Sequence, residues 1–190
     1  MTAITAVRPS AELAAGHTVV LLDPHTGAGH LVLAAEHATT AALAFLIRHT
    51  SGFVEVALGD ADCARLHLPS MWSLPGAAGT ARDHTVTLDA VDGITTGISA
   101  ADRARTIRAM ADPATGPADF TRPGHVAPVR AHGTGALADL VVELAADAGA
   151  RPIAAFAALV SPGHPALLAD AADCRAFAEQ HGLLVRGYPV

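Results

Sequence analysis

Lysine is absent from this 190-residue sequence, in which all twelve basic residues are arginine. Its absence excludes Schiff-base chemistry, a P-loop and a lysine general base. Aromatic residues are scarce, and no apolar run is long enough to cross a bilayer. Residues 1–16 do not show a basic start followed by an apolar segment, so we expect neither secretion nor membrane insertion and predict a cytoplasmic protein.

Paired cysteines and clustered positive charge are also missing. Cys63 and Cys174 stand far apart without a CxxC motif, which argues against a zinc ribbon or a thioredoxin-like site and predicts free thiols. The net charge is −6 and the arginines form no basic cluster, which argues against nucleic-acid binding. A small molecule is the partner that remains.

The length suits one domain over residues 1–190, with residues 1–10 as a loose N-terminal arm. Strand-like and helix-like segments interleave without strict alternation, so we predict an α/β (α+β) fold with a mixed β-sheet layered by helices. Predicted strands cover 18–23, 30–34, 53–58, 84–89, 153–160 and 183–185. Predicted helices cover 11–16, 40–49, 60–66, 99–110, 137–149 and 170–180.

Two polar stretches have the most specific patterns in the chain. The first, DGITTGISAADR at 92–103, leads from a strand into a helix, with Ser99 as a candidate N-cap. The second, FTRPGHVAPVR at 120–130, follows about twenty residues later. Taken alone, the first stretch is also explained by a well-capped helix start.

Together these stretches resemble the signature of 3,4-dihydroxy-2-butanone 4-phosphate synthase, a riboflavin-pathway enzyme that acts on ribulose 5-phosphate. The similarity extends to IRHTSG at 47–52 and LHLPSM at 66–71, and covers roughly 14–184. It implies a mixed sheet layered by helices and a homodimer with active sites near the subunit interface. It also implies a divalent metal held by a loop glutamate and a histidine.

The expected metal ligands are missing at the matching positions. The loop DPHTGAGH at 23–30 contains no glutamate, with Thr26 near the glutamate's place and His30 where an aspartate is expected. Leu137 falls near the metal histidine's place, and Ala157 or Ala158 where a later glutamate is expected. We therefore predict no metal site and no cofactor, and do not assign the parent reaction. A transition metal bound by histidines is the weaker alternative.

The polar residues that do match the family, in the region that serves its substrate, are Thr95, Thr96, Asp102, Arg103, Arg122 and His125. We predict substrate binding by Thr95, Thr96, Asp102 and Arg122, and also by Thr26 of the divergent loop. The structural alternative is that Arg122 and Asp102 form an ion pair and that His125 packs as a satisfied polar residue.

A new acid/base set is predicted from Glu55, His25, His30 and His125. Glu55 stands where the family has a cysteine, on the strand face opposite Val54 and Val56. A carboxylate in a buried strand must be paired or face a cavity, although an edge strand in water would explain it equally. Clustering of these four residues around one cavity would favour an enzyme.

The predicted function is acid/base catalysis, such as elimination, isomerisation or cyclisation, on a small oxygenated metabolite in a specialised pathway. One alternative is a non-catalytic homologue that binds a ligand or regulates an active subunit. The other is the parent reaction, which converts ribulose 5-phosphate into 3,4-dihydroxy-2-butanone 4-phosphate and formate.

Overall fold

The computed structural model describes residues 8–71 and 82–187. In these ranges the helices α1 to α6 span Pro9–Ala14, Thr40–His49, Asp60–Arg65, Ala100–Ala111, Leu137–Asp147 and Ala171–His181. The strands β1 to β8 span Val19–Leu22, Gly29–Ala34, Glu55–Gly59, Asp83–His84, Leu88–Ala90, Phe120–Ala131, Ile153–Ala158 and Val185–Arg186. None of these helices is long and apolar enough to cross a membrane.

The strands form one mixed sheet in the order β4-β6-β3-β7-β2-β1-β8, and β5 pairs with β6 outside this path. The pairs β3–β6 and β1–β8 are parallel, whereas the other described pairs are antiparallel. This arrangement confirms the predicted mixed sheet. It also places β3 between two neighbours, so the alternative of Glu55 on an edge strand is wrong.

Helices cover both faces of the sheet. The α1 and α5 helices pack on one face, where Leu13 and Val141 meet Val32, Ala57 and Phe156. The α2, α4 and α6 helices enclose the apolar core on the other face. Side chains two residues apart on a strand share a face, so His30 and Glu55 lie on the α5 side, beside Val32 and Ala57.

The observed elements differ from the predicted ones at three places. The α1 helix begins at Pro9 inside the predicted N-terminal arm, of which residues 1–7 lie outside the described residues. Part of the long connection at 69–83 also lies outside them, at 72–81. The predicted strand at 84–89 is instead split between β4 and β5, and β6 was not predicted because Pro123, Gly124 and Pro128 argue against a strand.

Side chains hold the ends of several helices. The hydroxyls of Thr39 and Ser99 accept the N–H groups of Ala42 and Asp102 at 3.1 and 3.0 Å, which makes both N-caps and confirms the one predicted at Ser99. At the other end of α4, the guanidinium of Arg65 donates to the carbonyls of Met110 at 2.7 Å and Asp112 at 3.0 Å. One arginine on α3 thereby satisfies carbonyls that the helix cannot pair itself.

Candidate active site

A cavity of about 670 Å³ opens where the β1–β2 loop faces the end of β6 and the start of α5. Its wall combines ionisable side chains of both signs with a larger apolar surface. The ionisable residues that line it are Asp23, His25, His30, Arg82, Asp83, Arg130, His132 and Asp139. These groups can hydrogen-bond a small polar molecule.

Glu55 lies behind this wall with only 1% of its surface exposed. Its carboxylate forms an ion pair with Arg82 and accepts a hydrogen bond from Nε2 of His84 at 3.0 Å. The strand β6 lies between β3 and β4 in the sheet. The side chain of Glu55, on the α5 side, reaches across β6 to contact His84 of β4. A buried charge is costly unless it is paired, and the two donors to Glu55 meet this requirement.

His30 shares Arg82 with Glu55. Its Nε2 lies 3.1 Å from Nη2 of Arg82, and the residue is 1% exposed. Burial, with the charge of Arg82 as the second cause, lowers the pKa of His30 to about 4. The ring is therefore neutral at physiological pH, and it cannot act as a cationic acid there.

A second group of polar side chains lines the cavity rim around Asp83. Its carboxylate accepts Nε2–H of His132 at 2.9 Å and the hydroxyl proton of Ser70. Arg130 Nε lies 3.6 Å from the same carboxylate, and its Nη1 pairs with Asp60 at 2.9 Å. The hydrogen bond to Asp83 therefore orients the ring of His132, and Nδ1 of His132 takes no part in it.

The start of α5 is built around the carboxylate of Asp139. Four backbone N–H groups, from His132, Gly133, Thr134 and Ala136, donate to it at 2.7–3.0 Å. Burial alone would raise the pKa of Asp139, but these hydrogen bonds lower it below its ordinary value. The carboxylate of Asp139 therefore fixes the conformation of the loop that carries His132, and both of its oxygens accept backbone hydrogen bonds.

The β1–β2 loop supplies His25 and Thr26 on the other side of the cavity. Nε2–H of His25 donates to the carbonyl of Gly135 at 3.0 Å, and the hydroxyl of Thr26 donates to Asp23 at 2.9 Å. His25 and His30 thus line the same cavity with different partners. Thr26 remains a predicted substrate-binding residue.

The predicted residues of the first motif have local partners. The carboxylate of Asp102 accepts the backbone N–H of Thr95 at 3.1 Å, its hydroxyl at 2.9 Å and the N–H of Gly97 at 3.1 Å. Burial would raise the pKa of Asp102, but these bonds and the one from Ser99 lower it. Thr95 and Thr96 are exposed, and their substrate role stays a prediction.

The second motif is likewise tied to the fold. Arg122 donates to the carbonyls of Leu66 at 2.6 Å, Pro117 at 3.1 Å and Phe120 at 3.2 Å. No Arg122–Asp102 ion pair occurs within the described ranges, so that part of the structural alternative is wrong, whereas the satisfied His125 that it also included is observed. His125 donates from Nδ1 to Asp89 at 2.7 Å and, in contrast to His25 and His30, does not line the cavity.

The structure thus brings together only part of the predicted acid/base set. His30 connects to Glu55 through Arg82, His25 lines the same cavity, and His125 lies elsewhere, on Asp89. Sequence reasoning missed Arg82, Asp83, His84 and His132. The run of three ionisable residues at 82–84, after a connection rich in glycine and proline, was a usable signal for the first three.

Residues 8–186 match the sequence model of the 3,4-dihydroxy-2-butanone 4-phosphate synthase family. This chain belongs to that family. The riboflavin biosynthesis protein RibBA of Rhodococcus jostii is 45% identical over 184 residues, which cover 93% of this chain and 44% of that protein. For the RibBA protein of Mycobacterium tuberculosis the identity is 44%, over 93% of this chain and 43% of the relative. The chain spans less than half the length of these curated relatives.

Solved structures of 3,4-dihydroxy-2-butanone 4-phosphate synthases show the same fold. The Candida albicans enzyme superposes with a TM-score of 0.84 at 34% identity, over 94% of this chain and 90% of that one. A 3,4-dihydroxy-2-butanone 4-phosphate synthase in complex with two magnesium ions gives a TM-score of 0.86 with the same identity and coverage. That complex contradicts the prediction that no cofactor is involved, because a synthase of this family binds magnesium.

The described residues of this synthase-family chain do not identify a set of ligands for magnesium. Magnesium prefers several oxygen ligands in octahedral geometry. Within 8–71 and 82–187, no group of three or more histidine, cysteine, aspartate or glutamate side chains is placed to hold a metal. Asp139 is saturated by backbone donors, and Asp23 already accepts Thr26 and the N–H of His25. We therefore assign no magnesium ligand and build no chemical step on the ion.

Proposed function

We propose that this chain is an enzyme that binds ribulose 5-phosphate, or a similar phosphorylated keto sugar, and transfers a proton next to its carbonyl. The observation that carries the proposal is the cavity wall, where two arginines and three histidines surround a space suited to a small molecule. Arginine is suited to phosphate, and oriented histidines are suited to proton transfer at neutral pH.

Two histidine–carboxylate pairs support the proton-transfer part. His132 is oriented by Asp83 at the cavity rim, and His84 is oriented by Glu55 behind it. In each pair Nε2–H donates to the carboxylate, so Nδ1 is the atom that can accept a proton. His132 lines the cavity, which makes it the better placed of the two bases.

The comparisons favour the parent reaction over the different acid/base reaction that the sequence predicted. Relatives at 44–45% identity are named riboflavin biosynthesis proteins, and the superposed structures are 3,4-dihydroxy-2-butanone 4-phosphate synthases. The product that these relatives support is 3,4-dihydroxy-2-butanone 4-phosphate, released with formate. A different reaction started by the same proton transfer is the second candidate, because Thr26 and Leu137 replace the expected metal ligands.

One experiment separates these functions. The purified chain is incubated with ribulose 5-phosphate in deuterated buffer, with magnesium and with a chelator, while formate release and deuterium uptake next to the carbonyl are followed. Magnesium-dependent formate release supports the parent reaction. Deuterium uptake without formate supports the second candidate. If the chain binds ribulose 5-phosphate but shows neither formate release nor deuterium uptake, the proposal is contradicted and a non-catalytic homologue is supported.

Three further properties remain predictions under this proposal. They are the homodimer with its active sites near the subunit interface, the cytoplasmic location, and substrate contacts by the motif residues Thr95, Thr96, Asp102 and Arg122. The mass of the purified chain in solution tests the first of them directly.

A further inference from the structure

The hydrogen-bonding state of His30 follows from its neighbour. A guanidinium carries only N–H donors and has no acceptor atom. Because Nη2 of Arg82 lies 3.1 Å from Nε2 of His30, this nitrogen must be the acceptor. A neutral imidazole has one acceptor and one donor nitrogen, so the proton of His30 must be on Nδ1.

The charged groups around the ring keep His30 in this neutral form. Removal of the ring from water is the largest cause, because burial favours the uncharged form. The positive charge of Arg82 acts in the same direction, while the negative charges of Glu55 and Asp23 oppose it.

The proton on Nδ1 has no acceptor among the residues that the structure describes. This nitrogen is buried and lacks a hydrogen-bond partner. The carbonyl of Ala28 lies near the ring and accepts the backbone N–H of Asp23 at 2.9 Å, but it does not form a hydrogen bond with Nδ1. A buried donor without an acceptor is unfavourable, and here the ring forms part of a cavity wall.

We propose that His30 is a neutral hydrogen-bond donor to the carbonyl oxygen of the bound molecule, with Arg82 as the positioning residue that fixes its tautomer. The carbonyl contact rests on the proposed function, whereas the tautomer does not. A single uncharged donor matches a carbonyl oxygen, which gains negative charge when a neighbouring proton is removed.

The tautomer is tested without any ligand. Nitrogen-15 NMR of the histidine rings, with His30 assigned through its absence in His30→Asn, is recorded at roughly pH 6 to 8, where an ordinary histidine titrates. The wild type should show the proton of His30 on Nδ1 throughout. In Arg82→Met the signal should move towards the other tautomer and begin to titrate. Arg48→Met, which removes an exposed arginine of α2, is the matched control and should leave the His30 signal unchanged.

Two results would overturn the role of Arg82. One is a proton on Nε2 of His30 in the wild type. The other is an unchanged tautomer in Arg82→Met whose fold is intact by circular dichroism.

The carbonyl contact is tested with two probes, ribulose 5-phosphate and ribitol 5-phosphate, in which a hydroxyl replaces the carbonyl. His30→Ala should weaken calorimetric binding of ribulose 5-phosphate by about tenfold, the effect of one lost hydrogen bond, and change ribitol 5-phosphate much less. His30→Asn keeps a donor near the position of Nδ1 and should restore most of the affinity.

Equal weakening for both probes would overturn the carbonyl contact. If the wild type binds neither probe, the proposed substrate fails and the carbonyl contact fails with it. The NMR result would still decide the tautomer and the role of Arg82, so the two failures can be told apart.

Discussion

The two polar regions of this chain use their hydrogen-bonding atoms in opposite ways. In the motifs that match the family, the carboxylate of Asp102 and the guanidinium of Arg122 are occupied by nearby backbone groups. In the cavity, His30 and His132 each have one ring nitrogen held by a neighbour and the other available. Asp102 and Arg122 of the motifs are therefore tied to the fold by their polar atoms, whereas the cavity contains imidazole nitrogens that the described part of the fold does not use.

The largest effect is expected when the buried ion pair of the cavity loses its carboxylate. Glu55→Ala leaves Arg82 and His84 without their shared acceptor and should lower the free energy of unfolding by about 4 kcal/mol. Denaturation with urea measures the change. The exposed Glu143→Ala on α5 is the control and should change stability by less than about 0.5 kcal/mol. Similar losses in both variants would contradict a buried, paired Glu55.

The second largest effect is expected at low pH, where the neutral His30 must become protonated. The lowered pKa means that the unfolded chain binds a proton below about pH 6.5 while the folded chain resists protonation until about pH 4. The stabilisation is thus complete above pH 6.5 and is lost as the pH falls to 4, by up to about 3 kcal/mol. Unfolding measured over this range should give a shallower pH dependence for His30→Asn. Parallel curves would show that His30 titrates normally.

Removal of Arg122 tests whether the second motif serves the fold or the substrate. Arg122→Met loses three hydrogen bonds to backbone carbonyls and should lower the free energy of unfolding by about 2 kcal/mol. If the motif serves only the fold, the folded variant binds ribulose 5-phosphate as the wild type does. A tenfold loss of affinity, measured by calorimetry, would break the comparison and support the substrate role predicted from the sequence.

The smallest effect is expected at the cap of α4. Ser99→Ala removes the oxygen that accepts the N–H of Asp102 and should lower stability by about 1 kcal/mol. Ser99→Asn keeps a capping oxygen and should lose little. Equal losses in the two variants, measured by thermal denaturation, would mean that Ser99 contributes through something other than the cap.

Helix caps and the face of a strand could be predicted from the sequence. Contacts between side chains on different strands could not. The caps at Thr39 and Ser99 depend on residues three positions away, and strand alternation placed Glu55 on the correct face. The partners of Glu55 at 82 and 84 come from another strand, and they depend on the order β4-β6-β3. That order depends on β6, a strand interrupted by prolines that no periodicity indicates.

The carbonyl-capping role of Arg65 has a consequence for how this sequence can change. Its planar guanidinium reaches two helix-end carbonyls at once, and that of Arg122 likewise donates to several backbone carbonyls. An ammonium group offers no flat fork and holds its water more strongly. At these two positions an exchange for the other long cationic side chain would preserve the charge and lose part of this hydrogen bonding. A composition built only on arginine is therefore partly a structural requirement, and substitution tables that treat the two cations as equivalent will misjudge it.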